Sequence, residues 1–128
     1  MILELHHIQL AMPEGREQDA REFYGNVLGL REVDKPEELR SRGGAWFEGG
    51  SIRVHLGVES PFAPAKKAHP AFRVENLERA VAALRSNGLE FRPDIDLPGI
   101  KRIYVNDPFG NRIELLELRL LNVPYLPD

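Results

Sequence analysis

The chain has no cysteine among its 128 residues. Disulfide bonds, thiolate nucleophiles and cysteine-based zinc sites are therefore excluded. Long apolar runs are also missing, since none approaches the roughly 20 residues that a membrane-spanning helix needs. The opening "MILELHHIQL" has no basic stretch and no small-residue cleavage site, so we expect no signal peptide and, by default, a cytoplasmic location.

An excess of one charge is absent as well. The 17 Lys and Arg residues nearly balance the 20 Asp and Glu residues, and the net charge is -3. Nothing suggests a surface that follows phosphates, so neither nucleic acid nor membrane is expected as a partner. The length suits one domain that is large enough to bury a core.

The sequence repeats itself after about 60 residues. "HIQLAM" (7–12) and "HPAFRV" (69–74) are short alternating runs that open with histidine, and each precedes a helical pattern. Apolar residues recur at helical spacing in both patterns: Ala20, Phe23, Tyr24 and Val27 in the first, and Leu77, Ala80, Val81 and Leu84 in the second. Asn76 is a suitable N-cap of the second helix, and Gly88 a suitable residue just beyond its end.

The second part of each repeat is a glycine turn followed by a strand. When "WFEGGSIRVHLGVE" is laid on "YVNDPFGNRIELLE" with Trp46 on Val105, His55 falls opposite Glu114. Each half therefore reads as a strand, a helix and three short strands. We predict a single domain over residues 1–128, with module 1 at about 1–60, a linker at about 59–68, module 2 at about 69–117 and a tail at 118–128 that covers part of the sheet or a partner subunit.

Alternation along the strands predicts the face of the sheet to which each histidine points. Residues two apart share a face, and the apolar face of each strand is expected to pack on the helix of its own module. Four candidate ligands then lie on the faces turned away from the helices: His7, His55, His69 and Glu114. The alternative is a buried polar network without metal, which would leave unsatisfied groups at a cost of kilocalories each. A metal site is the better interpretation.

The stretches "HHIQLAMP", "FYGNVLGL", "HPAFRVENL" and "DPFGNRIELLE" resemble the vicinal oxygen chelate superfamily, which includes glyoxalases, bleomycin resistance proteins and ring-cleaving dioxygenases. The resemblance covers nearly the whole chain. It implies an α+β fold in which two βαβββ modules form an incomplete eight-stranded mixed β-barrel around a divalent metal. It also implies a homodimer, often with cavities built from both subunits.

The resemblance places the metal ligands at His7, His55, His69 and Glu114. Glyoxalase I is similar, but it has a carboxylate or amide where this chain has His55. Extradiol dioxygenases are similar in using two histidines and one glutamate, which match His7, His69 and Glu114. Whether His55 binds the metal or acts as a general acid or base stays open, and so does whether the site lies in one chain or is shared. The candidate catalytic residues are Glu114 and His55.

Imidazole and carboxylate ligands suit Fe, Ni, Zn, Mn or Co, so one divalent ion of unspecified identity is the expected cofactor. Six further residues are candidates for the substrate pocket: Gln9, Trp46, Arg53, Arg73, Arg112 and Phe109. An arginine among them could pair with a carboxylate or phenolate of the substrate, although pairing with the chain's own glutamates is at least as plausible. Aromatics such as Phe109 more often belong to a core.

The favoured function is a metal-dependent, glyoxalase-like lyase or isomerase acting on a small molecule that chelates the metal through vicinal oxygens. The first alternative is an extradiol ring-cleaving dioxygenase. The second, from another class, is a metal-free protein that binds a small molecule such as an antibiotic and confers resistance by sequestration.

Overall fold

A computed structural model describes residues 1–119. The predicted tail begins at residue 118, which is the last residue of a strand, and the rest of its proposed role in covering a sheet or a partner subunit falls on residues 120–128, outside the described residues. Within this range, the structure has eight strands, two α-helices, one π-helical segment and one 3-10 helix.

The strands form two four-stranded mixed sheets, and each sheet comes from one half of the sequence. The first has the order β1-β4-β3-β2 and the second the order β5-β8-β7-β6. β1 pairs with β4, and β5 with β8, in parallel, whereas the other pairs are antiparallel. The strands are β1 (Ile8–Met12), β2 (Arg31–Val33), β3 (Ala45–Gly49), β4 (Ile52–Val58), β5 (Ala71–Arg73), β6 (Phe91–Pro93), β7 (Ile100–Asn106) and β8 (Arg112–Leu118). Two mixed sheets with helices confirm the predicted α+β fold. The sheets do not close into a full barrel, which is consistent with the predicted incomplete barrel.

The first helical pattern forms α1 (Glu17–Ala20), which continues as a π-helical segment at Arg21–Val27. The amide of Leu28 donates to the carbonyl of Phe23, five residues back, at 2.9 Å. Ala20, Phe23 and Tyr24 are buried as predicted. The amphipathic pattern thus places its apolar side against the core.

The second helical pattern forms α2 (Leu77–Ser86). Its start is capped by the Asn76 side chain, which accepts a hydrogen bond from the amide of Arg79 at 2.9 Å. Gly88 follows its end with a φ of 68°, a left-handed conformation that glycine adopts without strain. Both predicted ends of this helix are confirmed.

The predicted strand faces are also confirmed. Leu10 and Met12 of β1, Val54 and Leu56 of β4, and Ile113 and Leu115 of β8 are all buried in the core. His55 and Glu114 are buried too, although they point to the opposite faces of their strands. Both sheets are therefore covered on two sides at these positions.

A hydrogen-bonded loop at Asp107–Asn111 ties distant parts of the chain together. The Tyr24 hydroxyl donates to Asp107 Oδ2 at 2.7 Å, and Asn111 Nδ2 donates to the carbonyl of Ala11 at 2.8 Å. The Asn111 side chain also accepts from the amide of Ala65 at 2.9 Å. Burial beside Asp107 raises the pKa of Tyr24 well above its ordinary value, so its hydroxyl stays a donor. The loop joins the first helical region, β1 and the linker to the second sheet.

The overlay of the two hairpins is wrong by one residue. Trp46 pairs with His55 across β3 and β4, whereas the residue that pairs with Glu114 across β7 and β8 is Tyr104, not Val105. The reason is a longer second turn. Five residues (107–111) separate the paired residues Asn106 and Arg112, whereas four (49–52) separate the equivalent pair Glu48 and Arg53. Each candidate ligand of β4 and β8 thus has an aromatic partner on the next strand.

None of the helices in residues 1–119 has the length and apolar character required to cross a membrane.

Candidate functional site

The four predicted ligands lie in two pairs, one on each sheet. His7 and His55 are in contact on the first sheet, and His69 and Glu114 on the second. Among the residues that the structure describes, no group of three or more His, Asp or Glu side chains could hold a metal ion. We call the two pairs the first and the second half-site. Their role as ligands of one shared ion stays a prediction.

The first half-site is an aromatic stack. The His55 ring lies between Trp46, with ring centroids 3.8 Å apart and planes parallel within 1°, and His7, with centroids 4.3 Å apart. β-strand pairing accounts for this arrangement, because His55 pairs with Trp46 on β3 and with Gln9 on β1. His7 directly precedes β1 and is exposed, whereas His55 is buried.

This stack determines the protonation state of His55. Burial, and then the neighbouring His7, lower the pKa of His55 from 6.5 to about 4. Both causes disfavour the protonated ring. Burial removes the water that would solvate its positive charge, and a neighbouring imidazole that is protonated repels it. At neutral pH, His55 is therefore neutral and has a lone pair available for a metal ion or a proton.

The second half-site is a close contact between an imidazole and a carboxylate. His69 Nε2 lies 2.9 Å from Glu114 Oε1, and His69 Nδ1 lies 2.9 Å from the carbonyl oxygen of Lys67. A carbonyl oxygen can only accept, so Nδ1 carries the proton that is donated to Lys67. In the neutral ring, Nε2 then presents a lone pair to a carboxylate oxygen that also only accepts. The contact needs a positive species between or on the two groups, either a proton or a metal ion.

The donor atoms of this pair fit a metal ion. Two ligand atoms about 2.1 Å from one ion and at right angles to each other lie about 3 Å apart, which is close to the observed separation. Histidines that bind metals usually donate their other ring N–H to a carbonyl or carboxylate, as His69 does to Lys67. Imidazole and carboxylate together suit first-row divalent metals.

Two residues beside Glu114 were missed by the sequence analysis. Arg102 places one guanidinium nitrogen 3.7 Å from Glu114 Oε2 and another 3.1 Å from Asp94 Oδ2, and it donates to the Tyr104 hydroxyl at 3.3 Å. The Tyr104 ring meets His69 edge-on, with centroids 5.2 Å apart. The signal was present in the repeat, since a shift of one residue would have matched Tyr104 with Trp46.

Two predicted pocket residues lie beside the first half-site. Gln9 and Trp46 line a cavity of about 230 Å³ together with Lys35 and Arg42. The Gln9 side chain lies over Gly57, where an added Cβ would come within 2.7 Å of its Nε2. The absence of a side chain at Gly57 thus makes room for Gln9.

The other four predicted pocket residues are dispersed. Arg53 donates to the carbonyl of His6 at 3.3 Å, and Arg73 is exposed on β5. Arg112 lies with its guanidinium 5.0 Å from the centre of the Tyr104 ring. Phe109 belongs to the hydrophobic core, where only 7% of its surface is exposed.

Comparison with known proteins agrees with this fold. The family model of the Glyoxalase/Bleomycin resistance protein/Dioxygenase superfamily matches residues 4–115. The chain therefore belongs to the Glyoxalase/Bleomycin resistance protein/Dioxygenase superfamily.

Similar proteins come from bacteria and a plant. A crystal structure of a protein from Bacillus anthracis, ascribed to the glyoxalase family, is 47% identical with a TM-score of 0.89, over 93% of this chain and 98% of that one. A glyoxalase/dioxygenase from Nostoc punctiforme is 25% identical with a TM-score of 0.74, over 91% and 92% of the two chains. Glyoxylase I 4 from Arabidopsis thaliana is 30% identical over 108 residues, or 76% of this chain, which spans 62% of that relative's length.

Proposed function

We propose that this protein is a divalent-metal-dependent enzyme, a glyoxalase-like lyase or isomerase. Its substrate is a small molecule with two neighbouring oxygens. A divalent ion, when bound, would chelate these oxygens and stabilise the negative charge that develops on them during reaction. The proposed ligands are His7, His55, His69 and Glu114.

The observation that carries the proposal is the second half-site. His69 Nε2 and Glu114 Oε1 face each other at 2.9 Å while Lys67 fixes the proton of His69 on Nδ1. Two acceptors in this arrangement repel each other unless a proton or a metal ion lies between them. Glu114 is only 6% exposed, so solvent screens this repulsion poorly. A metal ion would relieve it and use both lone pairs.

We further infer that each complete site is shared between two copies of the chain. Each half-site of one chain has two candidate ligands, and no group of three comes together among the described residues. A catalytic metal usually has three or four protein ligands. A symmetric dimer would join the first half-site of one copy to the second half-site of the other, twice. Exposed apolar residues before β1 support a further contact surface: Met1, Ile2, Leu3 and Leu5.

The chain's own residues have distinct roles in this proposal. His55 is neutral at physiological pH because its pKa is about 4, so its lone pair is free to bind the metal, whereas the same low pKa makes it a weak general base. Arg102, 3.7 Å from Glu114 Oε2, keeps the carboxylate oriented so that Oε1 faces His69. Trp46 excludes water from one face of His55.

The test combines metal analysis with turnover. Protein purified from its native host should contain close to one divalent ion per chain and should convert a hemithioacetal, and chelation should abolish the activity until metal is restored. His69→Ala should lose most of the metal and the activity, because only Glu114 then remains in the second half-site. Glu78→Ala is the control, since Glu78 is exposed on α2 and lies outside both half-sites.

Two other results would replace this proposal. Oxygen uptake during cleavage of a catechol, without hemithioacetal turnover, would assign the extradiol dioxygenase function. Metal-free protein whose His69→Ala variant binds a small molecule as tightly as the unmodified chain would assign sequestration.

A further inference from the structure

A cationic cavity lies on the second sheet beside the candidate site. Its volume is about 320 Å³, and it is lined by Pro64, Lys66, Arg92, Asn106, Gly110 and Arg112. Three of these residues carry a positive charge and none carries a negative charge. We call this cavity the cationic pocket.

The charges of the cationic pocket form no ion pairs with the part of the chain that the structure describes. Within residues 1–119, Lys66, Arg92 and Arg112 form no ion pair. The acids of this region, Asp94 and Glu114, are both contacted by Arg102. Three cations around one cavity repel each other, so an anion bound between them would be favourable.

One donor in the cationic pocket lacks an acceptor. Arg112 Nε is fully buried and has no hydrogen-bond partner among the described residues. A buried donor of a charged group is rarely left unpaired, because its desolvation is not compensated. The planar guanidinium is suited to paired hydrogen bonds with carboxylate or phosphate oxygens. Arg112 Nε itself is closed off from the cavity, but the two outer guanidinium nitrogens have no hydrogen-bond partner among residues 1–119 and are not buried, so an oxyanion in the cavity would bond to them.

The Tyr104 ring connects the cationic pocket to the second half-site. Arg92 and Arg112 lie 5.5 and 5.0 Å from the ring centre, and the same ring contacts His69. Arg112 is two residues before Glu114 on β8, so both side chains are on one face of the sheet. An anionic group held by the arginines would lie one aromatic ring away from the proposed metal ligands.

We propose that the cationic pocket binds an oxyanion of the substrate, a carboxylate or phosphate group remote from the oxygens that chelate the metal. The assignment to the substrate rests on the proposed function, whereas the binding of an oxyanion does not. The substrate class is thus a small anionic molecule with two vicinal oxygens at one end. Neutral analogues would lose the contacts to Arg112 and Arg92.

The test measures anion binding by calorimetry on the metal-free full chain at constant ionic strength. Inorganic phosphate and succinate are titrated separately, which distinguishes a phosphate from a carboxylate preference. We expect one saturable site per chain for at least one of them, and a Kd that rises about 10-fold or more in Arg112→Gln. Lys66→Gln, an exposed position, should raise the Kd less and serves as a second variant that preserves folding.

The matched control is Arg79→Gln, which removes the same charge from the exposed face of α2. It should leave the Kd unchanged. The proposal that the cationic pocket binds an oxyanion would be contradicted by either of two results. One is the absence of saturable binding to the unmodified chain, and the other is equal affinity in Arg112→Gln, Lys66→Gln and Arg79→Gln. Metal binding is measured in a separate titration of the same proteins. Loss of the oxyanion site with intact metal binding would therefore leave the proposed enzyme function standing.

Discussion

His55 shows how one side chain can fail to titrate in the usual range. Trp46 and His7 stack on its two faces, and burial lowers its pKa to about 4. The sequence predicted that this histidine faces away from the helix, because its strand alternates. It could not predict the stack, since strand alternation fixes a face but not the distance to a side chain on the neighbouring strand.

The first prediction concerns stability in acid. The unfolded chain binds a proton at His55 below pH 6.5, whereas the folded chain does so only below about 4. The contribution is therefore constant above pH 6.5 and is lost as the pH falls from 6.5 to about 4, by roughly 3 kcal/mol. Urea unfolding of metal-free protein at several pH values measures it.

The control for this effect is a pair of variants. His55→Gln should flatten this part of the pH dependence, whereas Arg79→Gln, at an exposed position of α2, should leave it in place. An unchanged slope in His55→Gln would show that another group is responsible.

The second prediction concerns a single hydroxyl. Tyr24 is fully buried and donates to Asp107 at 2.7 Å. Tyr24→Phe keeps the ring but leaves the carboxylate with one donor fewer, so the free energy of unfolding should fall by about 1–2 kcal/mol. Denaturant unfolding measures the change. Tyr104→Phe, whose hydroxyl is only partly buried, should cost less; a larger loss there would contradict the account.

At the scale of elements, the loop at Asp107–Asn111 does more than reverse the chain. Its side chains bond to the first helical region, β1 and the linker. The sequence motif "DPFGN" indicated a turn, but it gave no sign of these partners, because they are far away in sequence. The extra residue that this loop needs also explains why the predicted overlay matched Trp46 with Val105 instead of Tyr104.

The third prediction tests this loop. Asn111→Ala removes bonds to Ala11, Ala65 and Asp107, all at 2.8 to 2.9 Å and mostly shielded from water. The free energy of unfolding should fall by about 3 kcal/mol, since three net hydrogen bonds are lost. Denaturant unfolding again provides the measurement.

Asn87→Ala is the matched control for the loop. Its side chain makes one exposed bond to the carbonyl of Ala83 at the end of α2, so the cost should stay below about 1 kcal/mol. Equal losses in the two variants would mean that the loop is not a tie between the modules.

The helices were the elements that the sequence predicted best. Apolar spacing located both, and the cap at Asn76 and the glycine at Gly88 marked the ends of α2. These signals are local, since a cap or a helical period depends on residues within a few positions. The π-helical turns at Arg21–Val27 were not predicted, because the same apolar residues satisfy both kinds of helix.

At the scale of the whole molecule, the central claim is that two half-sites need two chains. Alternation predicted a shared direction for the four candidate ligands, and the pairs His7–His55 and His69–Glu114 are each in contact. The sequence could not say which half-site meets which, because that depends on how two separate sheets are oriented, in one chain or between copies.

The most direct measurement is the metal content of mixed variants. His7→Ala and Glu114→Ala should each bind little metal as homodimers, since every site lacks one ligand. After denaturation and refolding together, a mixed dimer regains one intact site, because the Glu114→Ala chain supplies both histidines of the first half-site and the His7→Ala chain supplies His69 and Glu114. Statistical mixing should thus restore about a quarter of the full metal content. Mixed dimers that bind no more metal than the separate variants would contradict a shared site.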